Sequence, residues 1–532
     1  MADAVVIGAG PNGLVAANLL ADAGWSVDVL EAADAPGGAV RTQELVEPGF
    51  RHDTFSAFYP LTVASAPIRS LELERWGVRW IRPDTAVAHV AKDGRVAAIG
   101  RSLDDTAASL DAWSSGDGDA WRRLYGRWTK AQGGIVDALL SPFPPVRAGI
   151  GLLRHLDRRE MLYLARLAIL PVRRLAEEEF GAEGAALLLA GNALHADLVP
   201  EAAGSGLFGW ILCCLAQDVG FPVPEGGAQK ITDALVARLC AKGGSVTCGD
   251  RVTAIDVRGR RAVGVRTASG RAVGASRAVL ADVPAPALYL DLVGAEHLPP
   301  SLLADLHRFQ WDAGTVKVDW TLNGPVPWTS PEVRTAGTVH IADSLDELTL
   351  WAAQLATAQI PANPFLLFGQ QDVADPTRSP PGTATAWAYT HVPRTVRHDA
   401  GGSGLSGEWT QGEQEEMAAR IEAVVESRAP GFTSLIRGRH ILAPPSMEQA
   451  EPSLVGGAIN GGTAQLHQQL IFRPTTGWGR AETPVHGLFL AGSSAHPGGG
   501  VHGACGSNAA RAALAAHQRR RVLAAVGWKR NA

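Results

Sequence analysis

This chain of 532 residues has few cysteines and no excess of positive charge. The five cysteines are Cys213, Cys214, Cys240, Cys248 and Cys505, and no two of them form a C-x-x-C pair. An odd number without that spacing indicates neither a disulfide framework nor a zinc knuckle. Lys and Arg number 48 against 53 Asp and Glu, so no basic excess exists to neutralise a run of phosphates. We therefore expect a cytoplasmic protein in a reducing compartment, with no nucleic-acid partner.

Long apolar runs and hydrolytic motifs are absent as well. No uninterrupted apolar run approaches the roughly 20 residues of a membrane-spanning helix. The apolar opening AVVIGAG is not preceded by a basic residue, and the first arginine is Arg41, which does not fit a secretion signal. The sequence has no G-x-S-x-G, no H-E-x-x-H and no cluster of metal ligands, so we expect neither a hydrolase nor a metal site. The 46% hydrophobic and 19% charged residues are typical of a folded globular chain.

The beginning of the chain has the pattern of a nucleotide-binding unit. The apolar residues 4–7 predict a buried strand, and GAGPNG follows at residues 8–13. Gly8, Gly10 and Gly13 have the G-x-G-x-x-G spacing, in which they permit a tight turn, the approach of a pyrophosphate and close packing of strand and helix. Pro11 and Asn12 lie inside that turn. A helix is predicted over residues 14–23.

A second predicted strand, residues 27–30, ends at Glu31. A carboxylate at this place accepts hydrogen bonds from the adenosine ribose, and it would repel a 2'-phosphate. The order of strand, glycines, helix, strand and acid predicts a dinucleotide-binding site.

A second glycine pair follows in PGGAVRT, where Gly37 and Gly38 precede Arg41 and Thr42. Glycines and a guanidinium this close to the ribose acid indicate a second contact with the phosphates of the same ligand. With these motifs in this order, the sequence resembles the flavin-dependent amine oxidase superfamily, specifically its phytoene dehydrogenase and carotenoid isomerase-like branch. The resemblance implies FAD and an α/β fold, with a Rossmann-like FAD-binding domain of the glutathione reductase type.

Two later segments support the same resemblance. In FPVPEGGAQKITDALVARLCAKGGSV, a glycine pair precedes an amphipathic helix, and several predicted strands follow. The resemblance implies that Val252, in RVTAID, contacts the adenine through its backbone; alternatively, it is an ordinary strand residue. Near the end of the chain, VHGLFLAGSSAHPGGGVHGACGSNAARAALAA predicts a strand over residues 487–491 and a helix over residues 502–516.

The glycine-rich loop between this strand and helix is expected to reach the flavin ring. Gly499, Gly500 and Val501 would approach the pyrimidine, and the helix N-terminus would stabilise negative charge near N1 and O2. Gly492 and Ser493 are further cofactor candidates, although many flavoproteins of this fold carry an acid in place of Ser493. Cys505 does not match a known attachment position, so we expect non-covalent FAD.

The motifs divide the chain into two discontinuous domains. We expect residues 1–75, 221–290 and 450–532 to form the FAD-binding domain, and residues 76–220 and 291–449 to form an inserted α+β substrate domain. Between residues 142 and 180, apolar helical turns alternate with seven arginines. These turns predict a solvated helix face or, alternatively, a basic surface in peripheral contact with an anionic membrane.

Two strands of the inserted segments have candidate roles. GTVKVDWTL alternates apolar and polar residues, which predicts a half-buried strand with Lys317 exposed. Amine oxidases often hold a water against flavin N5 with a strand lysine, so Lys317 is also a catalytic candidate. In ATAWAYTH, Trp387, Tyr389 and His391 share one face, which fits ordinary sheet packing or the wall of a flat apolar pocket.

The remaining catalytic candidates are His496 and His502, which flank PGGGV and would stabilise reduced flavin, move a proton or act as structural hydrogen-bonding groups. The predicted function is FAD-dependent hydride transfer to or from a lipophilic, polyene or isoprenoid-like substrate, in desaturation or redox-linked isomerisation or cyclisation. An amine oxidase and a non-catalytic flavin-bound scaffold are the alternatives.

Overall fold

The computed structural model describes residues 1–525. Its strands are β1 (Ala2–Ile7), β2 (Val27–Leu30), β3 (Thr42–Gln43), β4 (His52–Asp53), β5 (Trp80–Ile81), β6 (Thr85–Val90), β7 (Val96–Gly100), β8 (Val223–Pro224), β9 (Ser245–Thr247), β10 (Val252–Arg258), β11 (Arg261–Thr267), β12 (Ala272–Ala281), β13 (Gly314–Leu322), β14 (Ala336–Ile341), β15 (Gln359–Ile360), β16 (Leu366–Gly369), β17 (Ala384–Val392), β18 (His398–Asp399), β19 (Ile436–Leu442) and β20 (Leu488–Leu490).

The α-helices of the described residues lie between and after these strands. They are α1 (Pro11–Asp22), α2 (Pro60–Ala64), α3 (Ala66–Arg69), α4 (Leu103–Asp111), α5 (Asp117–Leu140), α6 (Val146–His155), α7 (Arg158–Leu167), α8 (Val172–Glu179), α9 (Glu183–Leu194), α10 (Ser205–Val219), α11 (Gln229–Ala241), α12 (Pro300–Leu306), α13 (Leu345–Ala356), α14 (Gln411–Glu426), α15 (Phe432–Leu435), α16 (Pro444–Ala450) and α17 (Ala504–Ala525).

The first sheet has the strand order β10-β11-β12-β1-β2-β9, and β20 pairs with β12. The strands β9, β2, β1, β12 and β20 run parallel, whereas β10, β11 and the start of β12 form an antiparallel meander. Helices α1, α11 and α17 cover one face and bury an apolar core against it. This arrangement confirms the predicted Rossmann-like α/β fold.

Helix α1 begins earlier than the sequence pattern predicted. Its first residue is Pro11, whose missing N–H and fixed φ suit the first turn of a helix. A Cβ at Gly13 would lie 2.2 Å from the carbonyl oxygen of Gly8, so the absent side chain lets the helix pack against the turn. The expected close packing at the third glycine is therefore present.

The second sheet has the order β19-β13-β17-β16-β14-β6-β7 and is antiparallel apart from the pairing of β14 with β6. Helix α14 packs on one face, while α9 and α10 lie in the helical layer near β6 and β7. Strand β13 is buried along its whole length. The prediction of a half-buried strand with Lys317 exposed was wrong, because both faces of this strand are covered.

The two sheets draw on separate parts of the chain. The first is built from strands within residues 2–30, 245–281 and 488–490, and the second from strands within residues 85–100 and 314–442. A buried ion pair joins the two-stranded sheet of β3 and β4 to the segment between β16 and β17, since Arg378 Nη1 lies 3.0 Å from Oδ1 of Asp53. The division into two domains with the bounds given above stays a prediction.

Helices α6 and α7 leave apolar side chains in contact with solvent. Helix α6 has no buried residue, and the exposed fractions of Val146 and Leu153 are 62% and 66%. Leu162 on α7 is exposed to 62%. Within residues 1–525, none of the helices combines the length and the apolarity that crossing a membrane would take. Near its end, the chain has the basic segment HQRRRVLAAVGWKR. Residues 526–532, which include the last part of this segment, lie outside the described residues.

Candidate functional site

One cavity of about 670 Å³ runs along the carboxyl ends of the parallel strands and continues into the inserted segments. It joins the first glycine turn to the loop before α17, which are almost 500 residues apart in sequence. Most of the predicted cofactor residues line it, namely Gly8, Gly10, Pro11, Asn12, Glu31, Gly38, Val252, Ser493, Gly499, Gly500 and Val501. The widely separated glycine motifs therefore meet in a single groove, as the sequence predicted.

Three of the predicted glycines lie behind this groove rather than in its wall. Gly13 packs α1 against the first turn, as described above, and its N–H bonds to Asp282. The N–H of Gly37 donates to the carbonyl oxygen of Ala9 at 2.9 Å, which fastens the second glycine turn to the first. A Cβ at Gly492 would lie 2.5 Å from the carbonyl oxygen of Val283. These glycines shape the groove through backbone packing.

Arg41 and Thr42 also differ from expectation, because neither lines the groove. The guanidinium of Arg41 donates to the carbonyl oxygen of Ala450 at 2.9 Å and lies 3.5 Å from Glu451. Glu451 lines the groove, and burial raises the pKa of its carboxyl group, although Arg41 opposes the shift. The hydroxyl of Thr42 donates to Asp53 at 2.7 Å. Arg41 thus reaches the groove through Glu451 and not as a direct phosphate ligand.

Glu31 lines the groove at the end of β2, where the sequence predicts a ribose. Its two carboxylate oxygens accept hydrogen bonds from the N–H groups of Ala9 at 2.7 Å and Ala33 at 2.8 Å. These bonds fix the carboxylate at the end of β2 beside the glycine turn. Each oxygen keeps further acceptor capacity, which suits the hydroxyl groups of a ribose.

Asp282 is a groove residue that the sequence reasoning missed. It follows β12, the strand next to β1, and its Oδ2 accepts a hydrogen bond from the N–H of Gly13 at 2.7 Å. Burial, with the nearby charges of Glu451 and Glu31, raises the pKa of Asp282 to about 7. An acid directly after a strand that flanks the glycine turn was the available signal, since ligands bind at the carboxyl ends of such strands.

The loop at the other end of the groove is held by helices α2 and α3. The hydroxyl of Thr62 donates to the carbonyl oxygen of Val501, and that of Ser65 donates to His502 O at 2.6 Å. A Cβ at Gly499 would lie 2.7 Å from Cα of Asn460, so the loop passes close to a neighbouring backbone. Helix α17 begins just after this loop, at Ala504, which is the predicted arrangement of loop and helix N-terminus.

A buried arginine organises the backbone around this end of the groove. Arg473 donates to the carbonyl oxygens of Asn460 at 2.8 Å, Thr463 at 2.9 Å and Ser493 at 2.8 Å. Burial lowers the pKa of its guanidinium to about 10. Asp312 binds the same segment from the other side, because its carboxylate accepts from the N–H groups of residues 459, 460 and 462. Neither residue carried a motif that would have identified it.

His496 and His502, the two candidate proton-transfer groups, do not line the cavity. In His502, Nδ1 accepts from the N–H of Ala504 at 3.0 Å and Nε2 lies 3.2 Å from the carbonyl oxygen of Gly499. Nε2 of His496 lies 3.0 Å from the carbonyl oxygen of Ser141. Burial lowers the pKa of each imidazole to about 4. This geometry favours the structural alternative, in which the histidines hold the loop.

Lys317 lines the cavity from β13, contrary to the expected exposed position. Its ammonium group donates to Oδ2 of Asp319 at 2.6 Å and to the carbonyl oxygen of Asp53 at 3.1 Å. It also lies 5.7 Å from the ring centroid of Trp387. The lysine is therefore a buried, paired cation at the edge of the cavity.

The rest of the cavity is an apolar chamber. It is lined by Phe58, Leu61, Leu139, Phe208, Ile211, Leu212, Phe221, Trp387 and Tyr389. Trp387 and Tyr389 wall it from β17, so the pocket-wall alternative for this strand is supported over ordinary packing. His391, the third residue of that face, does not line the cavity.

His195 is a polar residue of the chamber wall that the sequence reasoning missed. Its Nε2 lies 2.9 Å from Nε2 of His340, and burial lowers the pKa of His195 to about 3. No motif surrounds this histidine, so the sequence alone offered no signal for it.

The groove and chamber fit a flavin adenine dinucleotide. Asn12 Oδ1 and Asn460 Nδ2 are enclosed polar atoms with no hydrogen-bond partner among the described residues, and both side chains belong to the cavity wall. A ligand extending from Glu31 to the Gly499 loop would pass both side chains and could supply the missing partners. Backbone at the glycine turns, a ribose-directed acid and a helix N-terminus are the groups that such a ligand requires.

These features define a flavoprotein whose cofactor groove opens into an apolar chamber. The model of the family "Flavin containing amine oxidoreductase" matches residues 12–330. The chain belongs to this family. It is an FAD-dependent oxidoreductase that binds FAD non-covalently, within the phytoene dehydrogenase-like branch of the superfamily.

Individual relatives are similar over nearly the whole chain. The "Pyridine nucleotide-disulfide oxidoreductase domain-containing protein 2" of Mus musculus is 29% identical, over 96% of this chain and 92% of the mouse protein. A "Phytoene desaturase (lycopene-forming)" of Pseudescherichia vulneris is 25% identical, over 97% and 99%. A crystal structure of an oxidoreductase from Methanosarcina mazei shares the fold with a TM-score of 0.62 at 16% identity, over 96% of this chain and 99% of that one.

Proposed function

We propose that the protein transfers a hydride between flavin N5 and a lipophilic, polyene or isoprenoid-like substrate, in desaturation or in redox-linked isomerisation or cyclisation. The observation that carries this proposal is the apolar chamber, which is continuous with the Gly499 end of the cofactor groove. The chamber wall offers aliphatic and aromatic surface with few polar groups, which suits a hydrocarbon chain. The similarity to a phytoene desaturase supports the same class of substrate.

The bound flavin supplies the redox chemistry, because its N5 accepts or donates the hydride. The protein's own residues bind, orient and exclude water. We propose that Gly8, Gly10 and Asn12 hold the diphosphate, that Glu31 binds the ribose and that Val252 contacts the adenine. Phe221 and the other apolar residues of the chamber would hold the substrate against the ring and keep water out.

Anaerobic reduction of the purified holoprotein tests this function. Polyenes, isoprenoids and amines would be added separately, and loss of the visible flavin absorbance would be followed. We expect bleaching by a polyene or isoprenoid substrate and none by primary amines. In the reverse direction, photoreduced enzyme should be reoxidised by an unsaturated substrate. Bleaching by amines alone would contradict the proposal.

Amine oxidation is less well supported. It would be favoured by two aromatic rings that face each other across the substrate. Trp387 and Tyr389 are nearly parallel, with an interplanar angle of 8°, but their centroids are only 6.0 Å apart. A substrate that lies between two rings needs a ring separation of about 7 Å, which is two van der Waals contacts of about 3.5 Å each. The rings therefore form one wall and not a cage.

We also propose that helices α6 and α7 contact an anionic membrane surface. Val146, Ile150 and Leu153 are exposed on α6, although such side chains are normally buried. Arg147, Arg154, Arg158 and Arg159 are exposed around them, and none forms a salt bridge within residues 1–525. Apolar side chains surrounded by unpaired arginines are typical of helices that lie in a lipid interface. Leu139, near the end of α5 and shortly before α6, lines the chamber, which supports a route for a lipophilic substrate from this surface.

Flotation with lipid vesicles tests this surface. The holoprotein should bind vesicles rich in phosphatidylglycerol and not vesicles of phosphatidylcholine alone. Leu153→Glu should reduce binding at least about tenfold by placing a charge in the interface. Leu350→Glu is the matched control, because Leu350 is exposed to 60% on α13, outside helices α6 and α7. Equal loss of binding in both variants would contradict the proposed surface.

A further inference from the structure

Asp282 is a carboxyl group in direct contact with the first glycine turn. Its Oδ2 accepts from the N–H of Gly13 at 2.7 Å, in the first turn of α1. A Cβ at Gly10 would lie only 2.8 Å from the same oxygen. The missing side chain of Gly10 thus makes room for a carboxyl group of the protein itself, at the turn that is expected to receive a diphosphate.

The surroundings of Asp282 make a second anion costly. Glu31 approaches from the end of β2 and Glu451 from the segment after α16. The thiol of Cys505, on α17, stays neutral because burial raises its pKa to about 11. Arg41 is paired with Glu451, one of these two acidic neighbours. A diphosphate adds about two further negative charges to an enclosed groove, where like charges repel more strongly than in water.

We propose that Asp282 binds FAD as a neutral carboxylic acid, donating a hydrogen bond to the diphosphate through one oxygen while the other still accepts from Gly13. Where Asp282 is ionised in the free protein, one proton is taken up from solvent for each FAD bound and is released with it. The inference rests on FAD binding and is independent of the identity of the substrate. It assigns to this side chain a role in cofactor recognition that the glycine motif alone does not contain.

The protonation state of the free protein is compatible with this uptake. Burial and the two neighbouring glutamates raise the pKa of Asp282 to about 7, so the acid form is available near neutral pH. Above that pH the carboxyl group is ionised in the free protein, and FAD must bring a proton with it. The affinity for FAD should therefore fall as the pH rises.

FAD release from the diluted holoprotein tests the proposal. Free FAD is measured by its fluorescence in buffers from about pH 6 to about pH 9 at constant ionic strength. In the wild-type protein, we expect a constant Kd at the acidic end and a rise of about tenfold per pH unit above the midpoint. Asp282→Asn is always neutral and keeps an acceptor for Gly13, so its Kd should not change with pH.

Two further variants keep the test decisive if Asp282→Asn folds poorly. Glu451→Gln removes one neighbouring charge, so the pH at which Kd begins to rise should move lower. Asp197→Asn is the matched control, since the pKa of Asp197 is also raised to about 7 by burial but this residue does not line the groove; it should keep the wild-type profile. A pH-independent wild-type Kd, or a wild-type slope in Asp282→Asn, would overturn the inference. A protein that holds no FAD at any pH would instead contradict the cofactor assignment.

Discussion

At the scale of single residues, the buried pair Lys317 and Asp319 shows how alternation along a strand can mislead. The polar residues of GTVKVDWTL predicted a solvent-facing side of β13. In the structure, that side meets the cavity and a buried polar cluster, where Lys317 also bonds the carbonyl oxygen of Asp53. A cation and an anion two residues apart on one strand face satisfy each other. That pairing, rather than exposure, permits the polar side of the strand to be buried.

Removing one member of this pair should destabilise the protein strongly. Lys317→Met leaves the Asp319 carboxylate buried without its cation, which we expect to lower the free energy of unfolding by about 3–5 kcal/mol. The double variant Lys317→Met with Asp319→Asn should lose much less than the sum of the single changes. Urea unfolding of the four proteins in a double-mutant cycle measures the coupling. Additive losses would mean that the pair is not coupled in solution.

At the scale of elements, the contact between α17 and α1 connects the two ends of the cofactor groove. A Cβ at Gly506 would lie 1.9 Å from the carbonyl oxygen of Asn12, so the backbones of the two helices approach as closely as a glycine permits. Asn12 belongs to the first glycine turn, and Gly506 lies in the first turn of the helix that follows the Gly499 loop. This contact therefore sets the distance between the two ends of the groove.

A methyl group at that contact should separate the helices. We expect Gly506→Ala to weaken FAD binding at least about tenfold, because small displacements of a binding site are costly. Gly149→Ala on α6 is the control, since a Cβ at this residue would have no neighbour within 4 Å; it should increase stability by about 0.5–1 kcal/mol. Retained FAD after gel filtration and thermal unfolding would be compared. Normal FAD content in Gly506→Ala would contradict this account of the contact.

At the scale of the whole molecule, buried histidines make stability depend on pH. Burial lowers the pKa of His89, His496 and His502 to about 4 and that of His195 to about 3, from an ordinary value of 6.5. Below 6.5, the unfolded chain binds protons at these positions that the folded protein does not bind. The contribution of these histidines to the free energy of unfolding should therefore be fully present above pH 6.5 and should fall as the pH drops toward about 4.

Two buried acids act in the opposite direction. The pKa values of Asp197 and Asp282 are raised to about 7, so their contribution is present at low pH and is lost as the pH rises through about 7. Because the histidines outnumber these acids, we expect the net stability to rise between about pH 4 and 6.5 and then to level off. Urea midpoints across this range measure the profile. His502→Gln should flatten the acidic limb, and an unchanged limb would contradict the assignment.

Glycine motifs made the cofactor half of the molecule predictable from sequence. Gly8, Gly10 and Glu31 have fixed spacings because a phosphate and a ribose impose them. The polar residues of the chamber had no such constraint. His195 reaches the chamber only through long-range folding and stands alone in sequence. Asp282, in the groove, was marked only by its place directly after the strand that pairs with β1. For α6, the sequence left a solvated helix face and a membrane-contacting surface open, because the same alternation of leucine and arginine fits both.

The position of β20 determines when this protein can acquire its cofactor. Strand β20 completes the first sheet by pairing with β12, and the loop that ends the groove follows it. A nascent chain that has reached only residue 449 carries the first glycine turn but displays an unpaired edge along β12. Such an edge invites pairing with other chains until β20 covers it. Because the Gly499 loop follows β20, we expect the flavin to be loaded late in biosynthesis, and a ribosome stalled before β20 to leave an aggregation-prone intermediate.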